Sequence, residues 1–143
     1  MKILLVCREF PYPPHKDGYV VFTYNIFSYL QSKHYNNLLS LNENSSLFEA
    51  DAVKPIASET TLVEAKRPQN IARAFRVVQS RISPLPSDVN RLKKSKLDEC
   101  ISNKVKEKHY DIVYFNSPEL AWYLPRVFRK KATILAPLDA KSR

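Results

Sequence analysis

MKILLVCREFPYPPHKDG, residues 1–18, opens with one charge and then five consecutive apolar residues, Ile3 to Cys7. An uninterrupted apolar run of that length reads as a strand buried on both faces, the habit of a central strand in a parallel sheet. Arg8 to Gly18 follows with three prolines and the only glycine of the chain. Proline fixes φ and removes a backbone donor, so this segment predicts a loop at the carboxyl end of the strand. Residues 19–34 then predict a helix, with Thr23, Ile26, Phe27 and Leu30 at helical spacing. Val20, Val21 and Tyr24 make its other faces apolar as well, so most of it is expected to be covered. Residues 37–41 (Asn-Leu-Leu-Ser-Leu) supply a second short strand. Strand, helix and strand form the βαβ unit of an open α/β sheet.

Further along, residues 42–58 are polar and irregular, and Thr60 to Val63 predicts a short edge strand. Ile71, Phe75, Val78 and Ile82 follow Pro68 at helical spacing, and Ser83-Pro-Leu-Pro86 stops that helix. Ser87 or Asp88 caps a longer helix reaching about residue 109. Its second half is amphipathic through Leu97, Cys100, Ile101 and Val105. Asp111 to Phe115 predicts another strand. Ser117-Pro118-Glu119 has the pattern of a helix start, with serine as cap, proline first and an acid in the first turn. That helix is expected to run from 118 to about 124, where Pro125 limits it. Ala132 to Ala136 is the last strand, followed by Pro137-Leu-Asp139. The sequence thus predicts an α/β fold, a Rossmann-like open parallel sheet with helices on both faces, built from residues 1–143 as one domain.

The chain has 143 residues, 44% of them hydrophobic, enough for a real core. No apolar run reaches the roughly 18 residues of a membrane span. Cys7 and Cys100 lie far apart in sequence, which fits a reduced cytoplasmic protein rather than a disulfide scaffold. One glycine cannot write a G-x-G-x-x-G, a P-loop or a nucleophile elbow. His15, His34 and His109 have no partner at zinc-ligand spacing, so no metal is expected.

The net charge of +9 is unevenly spread. Residues 66–108 hold 12 Lys+Arg and 4 Asp+Glu, against 11 and 10 in the rest. A surface of that kind is either a pair of solvated helix faces or an attractant for polyanions. No nucleic-acid-binding motif or aromatic stacking platform accompanies it, so an anionic membrane surface is the expected partner and nucleic acid is not. Lys66, Arg67, Arg73, Arg76 and Arg81 are its candidate contacts.

Ligands of open parallel sheets bind at the carboxyl ends of the strands. Three segments fall there: Phe10 to Gly18, Asn116 to Glu119, and Pro137 to Asp139. Gly18 would let a phosphate or sugar approach the first helix; its plain structural role would be a turn of positive φ. Lys16 is a candidate partner for an anion, and Asn116, Glu119 and Asp139 for sugar hydroxyls. For Asn116 and Glu119 the alternative is helix capping and dipole compensation.

Residues 1–18, followed by Tyr24-Asn-Ile-Phe-Ser-Tyr-Leu30, resemble the opening of bacterial family 4 glycosyltransferases of the GT-B fold. In that family the first strand leads to F-P-x-P-P-x-x-G-G and a helix of the type Y-N-L-x-x-x-L. Asp111-Ile-Val-Tyr-Phe-Asn-Ser-Pro-Glu119 resembles its D-V-V-H-x-H-x-P-E stretch. The resemblance implies the acceptor-binding, amino-terminal half of a retaining enzyme that moves a sugar from a nucleotide-sugar, in polysaccharide or glycolipid synthesis. The nucleotide-sugar is a substrate, no cofactor is implied, and the donor-binding half with its Glu-x7-Glu signature is not among these residues. The chain alone is therefore expected to be inactive. Where the family has two glycines this sequence has Asp17-Gly18, so only Gly18 carries over as the diphosphate-approach residue, with Lys16 and Asp17 beside it. Where many members have histidine it has Asn116, which binds a hydroxyl but takes up no proton in the physiological range. The catalytic residue is thus unassigned. The resemblance further implies a sugar or lipid-linked acceptor and a peripheral position on the inner face of the membrane. A second reading is a stand-alone, non-catalytic Rossmann-like module that binds a sugar or nucleotide.

Overall fold

The structure, a computed structural model, describes residues 1–42, 53–64, 96–124 and 132–136. Strands β1 (Lys2–Cys7), β2 (Tyr35–Asn42), β3 (Glu59–Glu64), β4 (Ile112–Phe115) and β5 (Ala132–Leu135) form one sheet in the order β3-β2-β1-β4-β5. Every neighbouring pair is parallel. Helix α1 (Gly18–Gln31) lies on one face and α2 (Leu97–Glu107) on the other. The α/β class read from the sequence is the one observed.

The apolar run of β1 sits in the middle of the sheet because both of its faces are covered. Ile3, Leu5 and Cys7 meet Phe27, Leu38 and Ile56, while Leu4 and Val6 meet Leu97, Ile101 and Phe115. All five β1 residues after Lys2 are buried. Leu97 and Ile101 of α2 are buried and Cys100 and Val105 pack against the same cluster, the stripe that the sequence marks.

Several boundaries differ for physical reasons. Helix α1 closes at Gln31 because the chain turns into β2, with His34 N–H donating to Leu30 O (2.8 Å) and Tyr35 N–H to Met1 O (3.0 Å). Strand β2 takes in two asparagines ahead of its apolar part. Asn37 Nδ2 donates to Tyr110 Oη (2.7 Å) and to Glu59 (3.1 Å), which satisfies the nitrogen end of that buried amide, while Oδ1 has no partner. The segment read as irregular contributes Val53, Ile56 and Ala57 to the core. Helix α1 is also less covered than expected: Phe22 is 47% and Tyr29 60% exposed. The helix at Pro118–Tyr123 is a 3-10 helix. Its serine is the cap residue by backbone, with Leu120 N–H donating to Ser117 O (3.1 Å), while the hydroxyl goes elsewhere. The helix expected at 68–82, the first half of the next one, and Lys66, Arg67, Arg73, Arg76, Arg81 and Asp139 lie outside the described residues.

Candidate functional site

The chain leaves β1 through α1 to β2 and β3 on one side, then returns to β4 and β5 on the other. The strand order therefore reverses between β1 and β4, and the crevice beyond their carboxyl ends is where doubly wound sheets take ligands. The residues that leave the sheet at this point are Arg8 and Glu9 after β1, and Asn116 and Ser117 after β4. Asn116 N–H donates to Val6 O (2.9 Å), which extends the ladder one step and holds the two exits side by side.

The exits are also joined through side chains. Arg8 Nη1 donates to Glu119 Oε1 at 2.8 Å, and both side chains are less than one-fifth exposed. Ser117 Oγ donates to the other oxygen, Glu119 Oε2. The Arg8 guanidinium lies over the Tyr19 ring, 5.1 Å from its centre. Tyr19 Oη donates to the Asn116 carbonyl (3.1 Å), and Asn116 Nδ2 donates to Thr23 Oγ1 (2.7 Å) and to Tyr19 Oη (3.3 Å). A single connected set of polar side chains thus spans the start of α1, the end of β1 and the end of β4. Arg8, Tyr19, Thr23 and Ser117 were not legible as members. Arg8 and Ser117 sit immediately after predicted strands, which was the available signal.

The sequence-predicted residues that fall among the described ones have definite places. Asn116 is fully buried behind Tyr19 and Thr23, and its Oδ1 has no hydrogen-bond partner. Exchanging the two ends of the amide would orphan the nitrogen instead, because both partners lie on one side. Asp17 is the N-cap of α1, its carboxylate accepting from Val20 N–H at 2.9 Å. Lys16 pairs with Glu9. Gly18 does not have positive φ, and a Cβ built on it meets nothing within 4 Å. Neither a turn nor packing requires glycine there, which removes the plain structural role and leaves open space beside the helix start.

Two titratable groups at this edge, Cys7 and Tyr19, are shifted by burial. Burial pushes the Cys7 thiol well above its ordinary value. Burial, reinforced by Cys7, likewise raises the Tyr19 hydroxyl, against a smaller opposing pull from Arg8. Both therefore stay protonated at neutral pH. Among the described residues no group of three or more His, Cys, Asp and Glu side chains is placed to hold a metal ion. No helix among them is long and apolar enough to cross a membrane.

A concavity of about 730 Å³ lies at the opposite edge of the sheet, against Lys2, Lys33, His34, Tyr35, His109 and Asp111. Asp111 there accepts from Lys2 N–H (2.7 Å).

Fold and edge together define a doubly wound α/β domain with a connected set of polar side chains at its switch point. No protein-family model matches the chain, and no curated protein matches it. Two crystal structures of the C-terminal domain of a hydrogenase from Pyrococcus furiosus, covering residues 83–215 and 78–226 of that protein, are similar to it. Their TM-scores are 0.59 and 0.58 at 12% identity, over 94% of this chain and 90% and 89% of theirs. At that identity the likeness concerns the fold alone.

Proposed function

We propose that this chain is the acceptor-binding half of a retaining glycosyltransferase that moves a sugar from a nucleotide-sugar donor in polysaccharide or glycolipid synthesis. One observation carries the reading. The two stretches that resemble family 4 glycosyltransferases, residues 1–18 and 111–119, are far apart in sequence yet meet at one edge of the sheet, tied by the Arg8–Glu119 ion pair. Glu119 and the open space at Gly18 are the groups a sugar would meet first. Asn116, buried behind Tyr19, acts by fixing α1 against β4. The donor half, with its Glu-x7-Glu helix, is supplied by residues outside these 143. Lys66, Arg67, Arg73, Arg76 and Arg81 hold the protein on the inner face of the cytoplasmic membrane, near a lipid-linked acceptor. Each such cation contributes about 1 kcal/mol at an anionic surface. Flotation with anionic liposomes at low salt tests that part, and protein left unbound would remove it.

A second reading, a non-catalytic sugar- or nucleotide-binding module, is favoured by Asn116, which stands where many members of the resembled family have histidine and does not titrate. Reading the natural gene beyond codon 143 separates the two. A further domain of roughly 200 residues with a Glu-x7-Glu helix supports the transferase, and a stop codon directly after Arg143 supports the binding module.

A further inference from the structure

We propose that the outer face of α1 is the contact surface of a symmetric dimer, occupied by α1 of a second copy of this chain. After Gly18, the exposed residues of the helix and its carboxyl-terminal cap are Val21, Phe22, Asn25, Tyr29 and Ser32. At 3.6 residues per turn all five fall within an arc of about 100°. Two aromatic rings and a valine thus stand in one stripe facing outward, while Val20, Thr23 and Phe27 on the opposite side are buried. A helix that is apolar all round is the kind that ends covered on both sides.

Charge selects the occupant. Residues 18–31 contain no Asp, Glu, Lys, Arg or His, in a chain that is 26% charged and carries +9. Aromatic residues without charges are the composition of an interface centre. Two copies of a chain of this net charge repel each other, so they approach closely only where neither brings a cation, and α1 is such a face. An anionic membrane selects the opposite composition, since interfacial helices carry Lys and Arg beside their apolar stripe. The lysines just beyond the two ends of α1 are engaged within the chain. Lys33 lies over the Tyr29 ring, 4.5 Å from its centre, and Lys16 pairs with Glu9.

The spacing along the helix suits a two-fold axis. When two copies of α1 run antiparallel about an axis at Asn25, residues equally far from Asn25 come opposite each other. Val21 then faces the partner's Tyr29, and Phe22 lies next to that contact. At the ends, Asp17 comes opposite the partner's Lys33, so unlike charges meet twice, and the two helix dipoles oppose each other. At the axis the two Asn25 amides can donate to and accept from one another. One helix face is small beside the roughly 1,200–2,000 Å² of a standard interface, so the dimer forms in a concentration-dependent way.

The test is sedimentation equilibrium of the full chain at physiological salt, from low micromolar to millimolar concentration, where a monomer–dimer equilibrium should appear. Asn25→Lys and Asn25→Asp each put like charges across the axis at an exposed position, so each variant alone should dimerise about tenfold more weakly. Mixed in equal amounts they put opposite charges there, and the dimer should return at least to the parent's level. Thermal unfolding at low micromolar concentration should be the same for all three proteins. A monomer at every concentration, the result if another segment of this chain covers α1, would overturn the proposal. So would a dimer that both variants leave intact, or a loss that the mixture does not restore. A monomer that instead binds anionic vesicles, and loses that binding in Phe22→Ser, would assign the face to lipid and overturn it as well.

Discussion

Replacing Arg8 and Glu119 by alanine, singly and together, measures how firmly the ends of β1 and β4 are tied. Coulomb's law at their 2.8 Å separation gives about 1.5 kcal/mol in water and about 6 kcal/mol at an effective dielectric of 20. The pair lies between these limits, with side chains 19% and 15% exposed. Desolvation and side-chain ordering offset much of the gross attraction, and exposed pairs retain only about 0–1 kcal/mol. The remaining coupling should be about 1–2 kcal/mol. Arg8→Ala also removes the contact with the Tyr19 ring, worth about 0.5–1 kcal/mol. Glu119→Ala removes the hydrogen bond from the buried Ser117 hydroxyl, worth about 1–3 kcal/mol, and the cycle subtracts both. Urea unfolding of the four proteins, followed by circular dichroism, closes the cycle. The double variant should be less destabilised than the two single variants added together, by the coupling energy. Additivity within about 0.3–0.5 kcal/mol would show that the two exits are independent, and the account of a connected edge would fail.

Gly18→Ala should leave stability unchanged or raise it by up to about 1 kcal/mol, because the new methyl meets open space at ordinary φ. If the proposed transfer holds, Gly18→Val in the complete natural polypeptide should cut turnover strongly at unchanged melting temperature, and unaltered kinetics would remove Gly18 from the site. The two thiols should react slowly with Ellman's reagent at pH 8, since burial raises both above their ordinary value. Cys100, the less buried, should react first, and rapid labelling of Cys7 in the folded protein would contradict its burial. The Glu59 carboxyl is lowered from its ordinary value, 4.5, chiefly by the hydrogen bond from Lys108. Its contribution to stability is thus full above that value and is lost as pH falls through the lower folded one. Urea midpoints of Glu59→Gln and the parent protein should therefore converge on acidification, and a constant gap down to pH 2 would refute the pairing.

The parallel sheet was legible because burial on both faces leaves a plain mark, the uninterrupted Ile3 to Cys7, and because the prolines after it forbid anything but a loop. The stripe Leu97, Cys100, Ile101 and Val105 was legible for the same reason, one apolar face meeting one side of the sheet. Strand β2 was read too short, at 37–41, because Tyr35 and Asn36 at its start and Asn42 at its end carry no apolar signal. What holds Asn37 in the strand, Glu59 and Tyr110, lies more than twenty residues away, which periodicity does not register. The exposed Phe22 and Tyr29 on α1 show the same limit: an apolar helix says that it wants cover, not which flank receives it.

At the edge, Gly18, Asn116 and Glu119 were singled out by position, as residues just past strands or beside a helix start, and by the resemblance. Their chemistry was not. Asp17 reads equally well as a ligand group or a cap until the Val20 N–H is seen on its carboxylate. Ser117 looks like a capping hydroxyl and instead fixes Glu119. Lys16 looks available for an anion and is paired with Glu9. In each case a nearby polar group competes for the side chain, and only the folded chain determines which partner wins.

The central claim is that the edge formed by β1 and β4 accepts a sugar from a nucleotide-sugar donor. The measurement that meets it most directly is acceptor-dependent release of nucleotide from a panel of nucleotide-sugars by the complete natural polypeptide in anionic vesicles, with the anomeric configuration of the product read by nuclear magnetic resonance. The account predicts nucleotide release together with a glycoside of retained configuration, both lost in Glu119→Ala. Release with inverted configuration, or no transfer from any donor of the panel to extracted lipid acceptors, would contradict it.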